Sequence, residues 1–422
     1  MKITYALIGL GLLTTSAHGA SLTGSSPGYH YFWKAGAAIG EHDGAVIDCA
    51  VRTRAMINGS DAGSGVAAAT GAAGGFAGGL VGGLIVGIIA ANEARQGAAA
   101  NVENCMALKG WSVVALPFDE GEAIRDLDDP APIREKLAPL TGAAEPQGPV
   151  LRGPYANELA AGKFLIGPAQ DLDKLSLSVR ATRPAAEAAE EAAGKLTPPK
   201  PDLPKGVKAP KAIKGLKSDA LASADAAKSY VVLRFSGAGR VIDGAAVTLS
   251  RLAPDGSEVV HDGAPTTVFL GLIKGKRFQR VEDAAGKHND HVVDVPPGRW
   301  KLATVSMSAF DADLCFGAPA FEIGAGETIW LGDMTLADSG GYPLDASILA
   351  DARAILAANP AIAERATAPE WTNGFTADCF GSYAYAYDVP GAPFVDRDAE
   401  QRGAEPADEA PAVTTPLEEP AL

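Results

Sequence analysis

TGAAGGFAGGLVGGLIVGIIAA, residues Thr70–Ala91, is the stretch on which the reading of this chain turns. Gly71, Gly75, Gly79, Gly83 and Gly87 recur every fourth residue, and Gly74, Gly78 and Gly82 form a second row beside them. No charged side chain occurs between Asp61 and Glu93. In a helix, positions i and i+4 share a face, so this spacing predicts a smooth ridge that another helix can approach closely. In a water-exposed helix each glycine costs roughly 1 kcal/mol against alanine. Eight of them would cost on the order of 8 kcal/mol, so the segment needs lipid or a tightly packed partner. The two halves differ: Val66–Gly79 is almost all Ala, Gly and Thr, whereas Leu80–Ile89 holds nearly all the Leu, Val and Ile.

Outward from the ladder, Cys49 and Cys105 bracket it, and Cys315 and Cys379 lie far beyond. The N-terminus reads as a secretory signal over residues 1–20, with Lys2 as the basic start, an apolar Ala6–Leu13 and a small-residue end at Thr14–Ala20. An even cysteine count in an exported chain points to disulfides, and four cysteines allow three pairings. We favour Cys49–Cys105 and Cys315–Cys379. No spacing is CxxC, which argues against zinc or thioredoxin-like chemistry. The net charge of −15 argues against nucleic-acid binding, since a phosphate backbone would repel it.

The rest of the 422 residues divides by composition. Residues 21–116 form the glycine-zipper unit, with an aromatic lead-in (Tyr29, Tyr31, Phe32, Trp33), a short helix near Ala45–Ile57, helical residues Glu93–Leu108 and a strand at Trp111–Leu116. Residues 117–182 are a mixed α/β connection. Asp119–Leu140 has loose helical spacing there, and Lys163–Ile166 and Leu175–Val179 are candidate strands. Residues 183–228 read as a Pro/Lys/Ala-rich linker with a helical start at Ala185–Ala193, in which Pro184, Pro198, Pro199, Pro201, Pro204 and Pro210 exclude a long helix. Its lysines suit either a solvated spacer or contact with acidic polymers and anionic head groups. Residues 229–338 carry short β-rich runs between turn signals (YVVLRF, AAVTLSRL, TTVFLGL, HVVDV, WKLATVSM, APAFEI, TIWLGDMTL), which predicts an antiparallel β-sandwich. Residues 339–390 hold an amphipathic helix at Asp345–Ala358, ended by Asn359-Pro360, and an extension carrying Cys379. Residues 391–422 form an acidic tail of disorder-prone composition. The expected class is thus α+β, multidomain.

Two resemblances follow from particular residues. The ladder between two cysteines, with Cys105-Met106 and Lys109-Gly110-Trp111 after it, resembles the glycine-zipper proteins of bacterial envelopes over residues 45–115. This chain has one ladder where the two-span version has two. The steps Pro296–Trp300 and Ala325–Gly332 resemble turns of small bacterial envelope sandwiches, which implies a non-catalytic accessory module.

Candidate chemistry is sparse. His288 and His291, with Asp290 and Asp294, have a spacing that metal ligands use, but the context reads as a solvated turn before a strand. Asp311 and Asp313 match part of a calcium loop without its glycine or distal glutamate, and read as a turn. His42 and Asp43 lie near Cys49, yet a Cys–His nucleophile needs a reduced thiolate. There is no GxSxG, HExxH or phosphate-loop pattern, and Gly237-Ala238-Gly239 is no dinucleotide loop. No catalytic residue, metal or cofactor is therefore expected. The expected role is structural: a membrane-associated envelope protein that contacts lipid and forms homo-oligomers through Gly71, Gly75, Gly79, Gly83 and Gly87. A sandwich that binds cell-wall glycan or an envelope protein partner, and a zipper-based pore, are the alternatives.

Overall fold

In the computed structural model, residues 28–57, 100–157, 176–196, 211–237, 245–259, 265–271, 279–283, 286–307, 310–336, 344–380 and 383–395 are described. The signal segment, the glycine ladder, Lys163–Ile166 and the tail from Asp396 lie outside them. The fold is mixed α+β.

The first lobe is built on a three-stranded antiparallel sheet in the order β1 (His30–Trp33), β2 (Ser112–Ala115), β3 (Val150–Arg152). Helices α1 (Ile39–Ile57), α2 (residues 100–108), α3 (Phe118–Arg125), α4 (Pro130–Thr141) and α5 (Leu177–Ala193) surround it. One core gathers Tyr29, Tyr31, Val114, Leu116, Ile133, Leu137 and Leu177. On the other side of the sheet, Phe32, Val46, Val102, Met106, Trp111 and Val113 pack around the Cys49–Cys105 pair.

The α5 helix corrects two expectations. Of the strand expected at Leu175–Val179, the described residues from Ser176 onward form none: Ser176 makes only an isolated bridge to His30 and then caps the helix, its Oγ accepting from Val179 N at 3.3 Å. Pro184 also sits inside the helix rather than ending it. A proline there forfeits one backbone bond and costs roughly 3 kcal/mol. The Ser176 cap and the burial of Leu177 and Ala181 offset that loss. The first helix likewise begins at Ile39 rather than Ala45, with Glu41 in its favourable first turn.

The second lobe packs two sheets face to face. Its strands are β4 (Ile213–Lys214), β5 (Ser229–Gly237), β6 (Ala246–Leu252), β7 (Thr267–Gly271), β8 (Gln279–Asp283), β9 (Gly286–Val295), β10 (Gly298–Met307), β11 (Phe310–Ile323), β12 (Thr328–Leu336), β13 (Leu344–Asp345), β14 (Ala366–Thr367), β15 (Thr372–Phe375) and β16 (Tyr383–Ala386). One sheet has the order β15-β11-β10-β6-β7-β4, with β16 also on β11; the other is β13-β12-β5-β9-β8, with β14 also on β12. The sequence pattern suggested an antiparallel sandwich, whereas β5–β12, β11–β16, β4–β7 and β12–β14 are parallel pairs. The run TIWLGDMTL joins YVVLRF about 100 residues upstream, and alternation within one strand carries no information about its neighbour's direction.

Alternation explains the packing within each strand. In β5, Val231, Leu233 and Phe235 face the shared core with Trp300, Leu314, Phe321 and Leu331. Tyr230 and Val232 point the other way, beneath α7 (Leu349–Ile355) and α8 (Pro360–Ala363). A short α6 (Ser218–Leu221) places Leu221 in the same outer cluster. The helix read over Asp345–Ala358 is thus shorter, and α8 starts at Pro360, the proline expected to stop it.

Strand β16 joins the lobes. Tyr383 and Tyr385 enter the sandwich core, while Ala384 and Ala386 face the first lobe. The small alanines let α2 approach closely enough for side-chain amides to reach the strand backbone. Asn104 Nδ2 donates to Ala384 O at 2.6 Å, and Ala384 N donates to Asn101 Oδ1 at 2.7 Å. Nearby, Asn157 Nδ2 donates to Asp388 O at 2.7 Å, and Asp388 N donates to Asn157 Oδ1 at 3.1 Å.

Candidate functional site

The disulfides set the frame. Cys49 on α1 is bonded to Cys105 on α2 with Cα atoms 5.6 Å apart, and Cys315 on β11 is bonded to Cys379 with Cα atoms 5.2 Å apart. No cysteine is free. Such a pattern belongs to an oxidising compartment outside the cytosol. The described residues stop at Ile57 and resume at Ala100, so the first bond ties together the two helices that flank the glycine segment in sequence. At a rise of about 1.5 Å per residue along α1 and α2, Ile57 and Ala100 lie no more than about 25 Å apart. Gly71, Gly75, Gly79, Gly83 and Gly87 themselves fall outside the described residues. Among the described residues, no helix is long and apolar enough to cross a membrane.

Beside this junction lies a polar clasp that sequence reasoning found only in part. His42 is fully buried, with Nδ1 2.9 Å from Asp43 Oδ1 and Nε2 2.8 Å from Ser178 Oγ. Phe32 N donates to the same Ser178 Oγ at 3.0 Å. The serine oxygen is therefore an acceptor from β1, and with a neutral imidazole its own proton goes to His42 Nε2. The Nδ1 proton then goes to Asp43. Burial raises the Asp43 carboxyl, but the bonds from His42 and Arg134 outweigh it and hold the group below its usual value. The ring also meets the Trp111 indole edge-on at 5.5 Å.

This connectivity is that of a Ser–His–Asp triad. Yet Ser178 and His42 have no exposed surface, and no acyl carbon can reach Oγ in this conformation. What the arrangement does is pin α1, β1 and α5 to one another. His42 thus turns to Ser178, while Cys49 is engaged in its disulfide. Ser178 is 136 positions away in sequence, so local motif reading had no signal for it.

The second polar cluster lies on the outer face of the β12-β5-β9 sheet. Arg234 Nε donates to Asp290 Oδ1 at 2.8 Å, and Arg234 Nη1 lies 3.4 Å from Asp351 on α7. Ser236 Oγ donates to Asp333 Oδ2 at 2.5 Å, and His288 Nε2 is 3.9 Å from Asp290. Burial pushes the Asp333 carboxyl up, against the pull of the Ser236 bond and the Arg234 charge. The motif HNDH is therefore not a turn: it lies within β9, where residues three apart point to opposite faces. His288 joins this cluster, whereas His291 faces inward and meets Phe235 edge-on at 5.3 Å. The two histidines cannot share a metal ion. Among the described residues, no group of three His, Cys, Asp or Glu side chains is placed to hold one. Asp311 and Asp313 are likewise strand residues of β11, and Asp313 Oδ2 accepts from Phe380 N at 2.9 Å. That bond tethers the segment carrying Cys379.

No protein family, curated protein or solved structure matches this chain.

Proposed function

We propose that this chain is a structural protein of the bacterial envelope, held at a membrane by its glycine-rich segment and displaying both folded lobes outside the cytoplasm. In this reading Gly71, Gly75, Gly79, Gly83 and Gly87 form the contact ridge of a helix that self-associates in lipid. The observation that carries it is the Cys49–Cys105 bond. A single crossing of a hydrocarbon layer roughly 30 Å thick would put α1 and α2 on opposite sides, and a bonded pair cannot be so divided. The 42 residues between Ile57 and Ala100 must leave and return on one side, as a re-entrant or interface-lying unit packed against its copies. The oxidised cysteines and the resemblance of residues 45–115 to envelope glycine-zipper proteins support the same compartment. Bulky side chains on the ridge test the reading. Gly75→Leu, Gly79→Leu and Gly83→Leu together should abolish crosslinked oligomers in membranes while leaving both disulfides and the sandwich intact. Oligomers of unchanged size would reject it.

A further inference from the structure

A cleft of 810 Å³ opens at the end of the sandwich, where β10, the turn between β11 and β12, and residues 367–372 meet. Its volume falls in the range of small-molecule sites, about 300–1,000 Å³. Trp371 lines it. The Phe321 side chain of the core holds that indole edge-on, with centroids 5.3 Å apart. The indoles of Trp33 and Trp300 donate to Ala143 O and Pro296 O, but among the described residues Trp371 Nε1 has no hydrogen-bond partner. This half-buried ring is thus held against the core at the wall of the cleft and has an unused donor.

The charged groups around it have mixed sign. Arg299 and Glu322 are exposed and directly opposite each other on β10 and β11. Glu370, also exposed, precedes the indole. Glu327 is already engaged, accepting from Gly324 N at 2.7 Å. An anionic ligand would meet three carboxylates, and a polycation, though drawn by them, would offer its ammonium groups as donors only and leave Nε1 and Arg299 without an acceptor. An apolar ligand would strip water from Arg299 and the glutamates without replacing their hydrogen bonds. A neutral ring with one C–H face and hydroxyls at its edge satisfies all of them. The face lies on the indole, and each hydroxyl both donates to a carboxylate and accepts from Arg299 or Nε1.

We infer that this cleft is a binding site for a neutral oligosaccharide, a function independent of the glycine segment. Calorimetric titration of the full, oxidised chain with chitotriose, cellotriose and maltotriose, and with trilysine as the cationic comparison, tests it. At least one trisaccharide should bind with a Kd of about 1 mM or tighter, and trilysine should not. Trp371→Ala should weaken that binding about tenfold. Because this change also removes packing on Phe321, Trp371→Phe and the surface change Glu370→Ala accompany it, and each should weaken binding several-fold with unchanged circular dichroism. Failure of all three trisaccharides to bind, tighter binding of trilysine, or wild-type affinity in all three variants would overturn the assignment.

Discussion

Replacing Cys49 and Cys105 together by alanine is expected to destabilise the chain by about 4 kcal/mol. The bond spans a sequence separation of 56 residues, and the chain-entropy relation for a loop of that size gives this figure. Both sulfurs are buried among Val46, Val102 and Trp111, so alanine adds a small packing loss without burying a new hydroxyl. Urea titration followed by circular dichroism measures the difference, with each variant fitted to its own denaturant slope because the uncrosslinked unfolded chain exposes more surface. A second chain separates entropy from packing. Shortening the segment between Ile57 and Ala100 so that the closed loop is halved should lower the bond's contribution by about 0.6 kcal/mol, since closure entropy grows only with the logarithm of length. The packing loss should not change. A total loss below about 1 kcal/mol, or one that grows when the loop is shortened, would refute the view that this bond acts by holding the ends of a long segment together.

Two further outcomes follow from the lobe and its junction. Burial holds the His30 imidazole at about 4, below its ordinary 6.5, and outweighs the Glu103 carboxylate 3.6 Å away. The unfolded chain therefore takes up a proton below pH 6.5 that the folded chain refuses. Stability should be full above that pH and fall by about 3 kcal/mol as pH drops to 4, a slope that His30→Gln should flatten in acid titrations of unfolding. Asn104→Ala removes the amide that serves Ala384 O on buried β16 and should cost about 1–3 kcal/mol, with faster hydrogen exchange at Ala384 and Ala386.

Much of the second lobe was legible because its strands obey a period of two and end at Gly and Pro. YVVLRF, AAVTLSRL and WKLATVSM became β5, β6 and β10, and the disulfides are Cys49–Cys105 and Cys315–Cys379, the favoured one of three possible pairings. The errors came where long-range partners outweighed local signals. Pro184 sits in α5 because core contacts made by Leu177 and Ala181 offset its penalty. The polar run HNDH extends β9 because Arg234 on the neighbouring strand neutralises Asp290, a pairing no local window contains. The clasp of His42, Asp43 and Ser178 draws its serine from the far side of the glycine segment. The cleft beside Trp371 assembles residues from 299 to 393, so its geometry exists only in the fold.

Flotation with phospholipid vesicles shows whether the glycine segment holds the chain at a membrane. The full, oxidised chain is compared with one in which residues 62–91 are replaced by a Gly/Ser linker of equal length. The full chain should float with the vesicles, and the replaced chain should stay in solution with both disulfides formed. Equal partitioning of the two chains, whether both float or neither does, would contradict that role of the segment.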